Sequence, residues 1–252
     1  MDVGLTPLRP VRCLVCGAIA MALSAATAHA QSIEDARAAF REGRFLEAAE
    51  LGEAEGTSDG YALAAQSLAV YGHYAAPEED RNAVLDRAVE LGEAATGADP
   101  ANAEAHFQAA HALGRHALSI GRLSALREGL AGRIRDFLDA ALAIRPDFAD
   151  AHVALGSWHA DIADAGRIAR WMFGGDREEA IIHFERALEL APDSKVVLLE
   201  YGLRLPELDR DGGGERAREM LSRAVELPAQ DAYGEFIHGD VVEALASLDA
   251  AG

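Results

Sequence analysis

The chain has 252 residues, of which half are hydrophobic, 6% are aromatic and 26% are charged. Its 42 acidic and 23 basic side chains give a formal net charge of −19. Because so acidic a surface repels phosphate backbones, nucleic acids are excluded from the expected partners. The length is sufficient for one extended domain after a leader.

Residues 1–30 have the three parts of a secretory signal peptide. A basic start is followed by an apolar run at 14–26 and by a small-x-small cleavage pattern at 28–30. We therefore expect cleavage after Ala30. The arginine- and alanine-rich composition is typical of a GC-rich bacterial genome, so the expected destination is the periplasm. The apolar run is short for a membrane span, so no stable membrane insertion is expected after cleavage.

After the leader, a short amphipathic phrase recurs with a regular spacing. Its near copies lie at 87–91, 140–144, 186–190 and 223–227. Pro100, Pro146 and Pro192 are spaced 46 residues apart. A fixed period of helix ends and turns indicates a solenoid of helix pairs, which bury their apolar faces by stacking on one another.

The third unit has a pattern of small and large residues that resembles the tetratricopeptide repeat (TPR). Gly156 and Ala187 allow two helices to approach closely, and Phe184 fills the space between them. The TPR unit has 34 residues, and two units here are longer, with insertions at 117–130 and 163–176. We predict an all-α fold, a TPR-like solenoid of antiparallel helix pairs with two lengthened repeats of 46 residues.

The helical periodicity, taken in chain order, predicts eleven helices and no strands. They lie near 32–42, 44–55, 58–74, 78–96, 101–120, 124–144, 147–165, 176–190, 193–206, 213–227 and 230–249. We divide the chain into the signal peptide at 1–30, a degenerate TPR-like helical region at 31–99 and an extended TPR domain at 100–252.

The TPR resemblance implies that the first helix of each unit lines a concave groove, where such arrays hold peptides or partner helices. Counted from the start of each unit, the expected groove residues are Glu104, Phe107, His111, Arg115, Asp150, Val153, Ser157, Asp161, Val196, Leu199 and Leu203. This mixed lining has an apolar end toward the C-terminus. It therefore suits a peptide or helix with a hydrophobic anchor.

Arginines cluster in and beside both insertions of this otherwise acidic chain. The candidates for an anion-binding patch are Arg122, Arg127, Arg133, Arg135, Arg167 and Arg170. Guanidinium groups bind carboxylates and phosphates. Two interpretations stay open: these arginines bind an organic anion, or they pair with carboxylates of neighbouring helices.

The sequence contains no recognisable catalytic constellation. It has no Gly-rich phosphate loop, no G-x-S-x-G elbow and no H-E-x-x-H pair. Both cysteines lie in the leader, so the mature chain has no thiolate nucleophile and no cysteine-ligated zinc. His106 and His152 occupy equivalent repeat positions, which favours a structural role over a metal site. We expect no enzyme activity, no metal and no cofactor.

A narrower resemblance covers about residues 100–250. The LG-x-W motif at 155–158, the FG at 173–174 and the ELP at 226–228 are similar to those of the regulator of microtubule dynamics family. The resemblance implies a lengthened TPR domain and a binding role, and it brings no catalytic residues.

These observations favour an exported, non-enzymatic TPR scaffold that binds a protein or peptide in its concave groove. The alternative is a periplasmic carrier of small organic anions, or an accessory of solute uptake. That alternative requires several of the insertion arginines to converge without partners.

Overall fold

The computed structural model describes residues 32–251, so the predicted signal peptide at 1–30 and its predicted cleavage site lie outside the described residues. Within this range the chain forms thirteen helices and no strand. They are α1 (32–41), α2 (Phe45–Glu55), α3 (Ser58–Tyr74), α4 (Glu78–Ala98), α5 (Ala103–Ile120), α6 (Arg122–Arg127), α7 (Leu130–Ile144), α8 (Ala149–Asp164), α9 (Arg167–Phe173), α10 (Arg177–Leu190), α11 (Lys195–Leu208), α12 (Gly213–Glu226) and α13 (Ala232–Ala251). None of these described helices has both the length and the hydropathy needed for a membrane span.

Each insertion contains a short helix that the sequence did not predict as a separate element. Gly129 has φ +70° and separates α6 from α7, so the predicted continuous helix at 124–144 is wrong. Gly166 has φ +100° and starts α9, which was not predicted. Positive φ is costly for residues other than glycine, so these glycines fix the breaks.

The helices wind as a two-layered solenoid of pairs. α3 packs on α4, α5 on α7, α8 on α10 and α11 on α12. Helices α3, α5, α8, α11 and α13 form the inner layer. Along this layer α3 packs on α5, α8 on α11 and α11 on α13, whereas α5 and α8 contact each other only sparsely. The space between α5 and α8 is bordered by α6 and α7.

Glycines at equivalent repeat positions bring the two helices of a pair together. A Cβ built on Gly156 would lie 3.1 Å from the ring carbons of Phe184. A Cβ built on Gly202, 46 residues later, would lie 3.0 Å from Cγ of Leu221. Phe184 is fully buried and stacks on Tyr201, with ring centroids 4.8 Å apart. These close contacts set the spacing between the two layers.

His106 and His152 have the same structural role in successive units. The Nε2 atom of His106 lies 2.9 Å from the carbonyl oxygen of Pro100, and that of His152 lies 3.0 Å from the carbonyl oxygen of Pro146. Each imidazole therefore donates a hydrogen bond to the turn that precedes its helix. The repeated geometry explains why both units have histidine at this position.

The last helix packs against the first ones and closes the solenoid. Phe236 of α13 stacks on Tyr74 of α3, with ring centroids 4.7 Å apart and planes 4° from parallel. The hydroxyl of Tyr74 donates a hydrogen bond of 2.6 Å to Asp240. Phe40 and Phe45 also pack against this end of α13. The inner surface is thereby bounded on this side by α13 and forms a cavity that stays open to solvent.

Candidate ligand-binding cavity

A cavity of about 640 Å³ lies among the five inner helices, with α6 and α7 on one side. Nine of the eleven groove residues expected from the sequence line it: Glu104, Phe107, His111, Arg115, Asp150, Val153, Ser157, Asp161 and Val196. Helices α5 and α8 supply all but one of the nine. The volume and mixed lining are those of a ligand pocket.

The remaining two expected groove residues, Leu199 and Leu203, do not line the cavity. Leu199 is 3% exposed and belongs to the core between α11, α12 and α13. The assignment of Leu199 to an apolar end of the groove is therefore wrong, because its side chain is buried in the core. Leu203 is 47% exposed, but it lies outside the cavity lining.

Several cavity residues were not predicted. On α11, Glu200 and Arg204 follow Val196 at intervals of four and share its face. That spacing was the available signal. Gln108 follows Glu104 at the same interval on α5. Further lining residues come from helices outside the predicted set or from neighbouring positions on α8: Gln66, Leu126, Ile134, Trp158 and Tyr233.

The insertion arginines do not meet in the cavity. Arg133 forms an ion pair with Glu93. Arg135 donates a hydrogen bond of 2.9 Å to the carbonyl of Phe173 and lies 5.2 Å from the ring centre of Trp158. The side chains of the other described members, Arg127, Arg167 and Arg170, are exposed on the surface. None of these five arginines lies on the cavity wall, and the side chain of Arg122 lies outside the description, so an anion patch at the insertions stays a prediction.

Where α5 faces α8, the cavity wall is acidic. Arg145 donates to one oxygen of Glu104 at 3.0 Å, and Nε2 of Gln108 donates to the other at 2.9 Å. The side chain of Asp150 is exposed to solvent, but it lies inside the cavity, so protein walls stand around it. Burial by these walls, and then the charge of Glu104, raise the pKa of Asp150. The carboxylate of Asp150 is thus poorly compensated by its surroundings.

Where α8 faces α11, the acidic groups have partners. Arg204 forms an ion pair with Asp161. The hydroxyl of Ser157 donates a hydrogen bond of 3.2 Å to Glu200. This side of the cavity is therefore held by contacts between the two helices, although its two carboxylates face a single guanidinium group.

Arg115 fixes the proton arrangement of His111. Its Nε donates a hydrogen bond of 3.2 Å to Nε2 of His111. Burial, and then the charge of Arg115, lower the pKa of His111 to about 3. The imidazole is therefore neutral at physiological pH, and its proton lies on Nδ1. The guanidinium of Arg115 also lies 5.8 Å from the ring centre of Tyr74, next to the closing helix.

A second group of histidines lies between α8 and α10. The Nδ1 atoms of His152 and His183 are 2.9 Å apart, and the rings of His159 and His183 stack with centroids 5.7 Å apart. Burial, and then the charges of His152 and His159, lower the pKa of His183 to about 4. No cluster suited to a metal ion occurs among residues 32–251.

Comparison with known proteins identifies the family. The family model for regulator of microtubule dynamics protein 1-3 matches residues 57–249. The chain belongs to this family. No curated protein sequence matches the chain.

Two solved structures resemble this member of the regulator of microtubule dynamics family. TTC0263, a thermophilic TPR protein of Thermus thermophilus, is 15% identical, with a TM-score of 0.58 over 85% of this chain and 99% of its own. YrrB, described as a TPR protein with an unusual peptide-binding site, is 15% identical, with a TM-score of 0.45 over 86% and 90%. The likeness to TTC0263 confirms the predicted TPR fold.

Proposed function

We propose that this family member is a binding scaffold that takes a peptide or a helix of a partner protein into its cavity, without catalysis. The observation that carries the proposal is the cavity itself. Its walls combine apolar side chains, such as Phe107 and Val196, with charged ones on the facing helices. A peptide has the same mixture of apolar side chains and hydrogen-bonding groups.

The organic-anion carrier is the weaker candidate. It needs unpaired arginines at the ligand, whereas Arg133 and Arg135 make contacts elsewhere. The only arginines on the cavity wall are Arg115 and Arg204, within the described residues. Arg204 is neutralised by Asp161. An anion would therefore meet more negative than positive charge.

A cavity-filling substitution tests the scaffold proposal directly. Ala154 lies on the cavity wall and is half-buried, so Ala154→Trp should occupy the ligand's space while the fold is retained. The matched control is Ala143→Trp on the exposed face of α7. Both variants and the wild type would be used as bait in periplasmic extract, with bound proteins and small molecules identified by mass spectrometry.

The proposal requires one specific pattern in that experiment. A protein should be captured by the wild type and by Ala143→Trp but lost with Ala154→Trp, and a synthetic peptide from it should bind the purified protein in a titration. Recovery of a small organic anion instead of a protein would favour the carrier. Capture that is unaffected by Ala154→Trp would contradict binding in the cavity.

We also propose that the protein is exported to the periplasm after cleavage behind Ala30. The support is the sequence of the leader, with its apolar run at 14–26 and its small residues at 28–30. N-terminal sequencing of the mature protein should therefore begin at Gln31. A product that retains Met1 on a membrane would contradict both the cleavage and the location.

A further inference from the structure

The cavity wall lacks one positive charge. Its ionised side chains are the carboxylates of Glu104, Asp150, Asp161 and Glu200 and the guanidinium groups of Arg115 and Arg204. A third arginine, Arg145, reaches Glu104 from outside the wall. Four negative charges thus face three positive ones. His111 does not change this balance, because its lowered pKa of about 3 keeps it neutral.

Of the four wall carboxylates, Asp150 and Glu200 form no ion pair, and Asp150 also lacks a side-chain hydrogen bond within the described residues. Glu104 is paired with Arg145, Asp161 is paired with Arg204, and Glu200 accepts a hydrogen bond from a serine hydroxyl. Asp150 forms no ion pair and accepts no side-chain hydrogen bond from any residue of the range 32–251. Because the side chain of Asp150 is exposed to solvent within the cavity, its carboxylate is free to bind a cationic group of a ligand at hydrogen-bonding distance.

A second, independent observation concerns Gln108, which lines the same cavity and is only 2% exposed. Its Nε2 donates to Glu104, and a carboxylate can only accept, so the orientation of the amide is fixed. Its Oε1 is therefore an acceptor, and this buried atom has no partner among the described residues. A buried acceptor without a donor is costly. A ligand that brings N–H groups would remove this cost.

At His111 the atom without a partner is a donor. Because Arg115 can only donate, Nε2 of His111 accepts, and the proton of the neutral ring lies on Nδ1. Nδ1 is also buried and has no partner within the described chain. An acceptor such as a carbonyl oxygen of a ligand would satisfy this N–H group. The residues of the cavity wall therefore include one free carboxylate, and also one acceptor and one donor that are buried without a partner.

We propose that the ligand is a peptide segment with one basic side chain, whose ammonium or guanidinium group binds Asp150. This proposal rests on the proposed function and names the chemistry of its ligand. The basic group supplies the missing positive charge and donors for the acceptors at Asp150 and Gln108. A peptide carbonyl accepts from Nδ1 of His111, after small side-chain rotations. Apolar side chains beside the basic residue pack on Phe107 and Ile134.

A selected peptide is the probe for the test. The purified mature protein would be used to select binders from a random dodecapeptide display library. The strongest binder would be synthesised with a fluorophore, together with a version in which its basic residue is replaced by the uncharged isostere norleucine or citrulline. Affinities would be measured by fluorescence polarisation for the wild type, Asp150→Asn and the control Asp147→Asn. Asp147 is an exposed acid in the preceding turn and lies outside the cavity wall.

We expect selected peptides to be enriched in lysine or arginine and to bind the wild type at least about tenfold more tightly than their uncharged versions. Asp150→Asn should remove this preference, whereas Asp147→Asn should keep it. Gln108→Met, which deletes the free acceptor, should also weaken the basic peptide. Circular dichroism of each variant would establish that the helices are intact.

The selection separates a wrong ligand charge from an absence of peptide binding. Selection of neutral or acidic peptides, or an unchanged preference in Asp150→Asn, would overturn the basic ligand while peptide binding stands. If no peptide is enriched, both proposals are wrong.

Discussion

Leu199→Ala should strongly destabilise the protein, although the sequence alone had assigned Leu199 to the ligand groove. The side chain is 3% exposed and packs among α11, α12 and α13. Its truncation removes most of a buried isobutyl group and leaves a cavity, which costs about 2–5 kcal/mol in the free energy of unfolding. Leu199→Asp should cost more, because it places an unpaired carboxylate in the core.

Leu203 provides a matched control on the same helix. It is 47% exposed, so Leu203→Ala should change the free energy of unfolding by less than about 1 kcal/mol. Urea denaturation followed by circular dichroism would measure both variants, with a shifted midpoint and an unchanged slope for Leu199→Ala. Equal, small losses for the two variants would refute the assignment of Leu199 to the core and the orientation of α11.

Three further predictions concern packing, pH and the closing helix. Gly156→Leu should lower the free energy of unfolding by about 1–3 kcal/mol, because a Cβ at this position meets the Phe184 ring at 3.1 Å. Gly239 has open space around it, so the control Gly239→Ala should stabilise α13. Thermal unfolding of both variants checks this. Burial lowers the pKa of His183 to about 4, below the unfolded value of 6.5, so the folded state resists protonation of this ring. The free energy of unfolding should therefore fall as the pH drops from about 6.5 to 4. The midpoint of urea denaturation should fall less steeply with pH in His183→Gln than in the wild type. Tyr74→Phe deletes the hydrogen bond to α13 and should cost about 1–2 kcal/mol, with faster amide exchange in α13; unchanged exchange there would contradict the closure.

The sequence predicted the helices and the α5–α8 part of the cavity because those features depend on local periodicity. Small residues such as Gly156 and the repeated prolines fix the start, end and pairing of each helix. Once α5 and α8 are placed, the inner face of each follows from a spacing of three and four residues. Glu104 and Asp150 could therefore be placed on facing walls without knowledge of the rest of the fold.

Two features could not be predicted in the same way: the side of α11 that faces the cavity, and the packing of α13 against the first helices. Which side of α11 is buried depends on how the neighbouring helices pack around residues such as Leu199, and these are contacts between separate helices. The hydrogen bond from Tyr74 to Asp240 joins residues 166 positions apart, and no local pattern indicates such a pairing. The unpartnered atoms of Gln108 and His111 likewise appear only when all surrounding side chains are in place.

The packing of α13 against the first helices also determines when an exported chain can complete its fold. Phe40 and Phe45 lie near the start of the described chain, but the rings that pack on them, Tyr233 and Phe236, belong to α13. If the chain crosses the membrane behind a signal peptide, as we propose, the N-terminal helices arrive first and lack part of their core until α13 follows. The translocating protein should therefore be sensitive to periplasmic proteases during that interval.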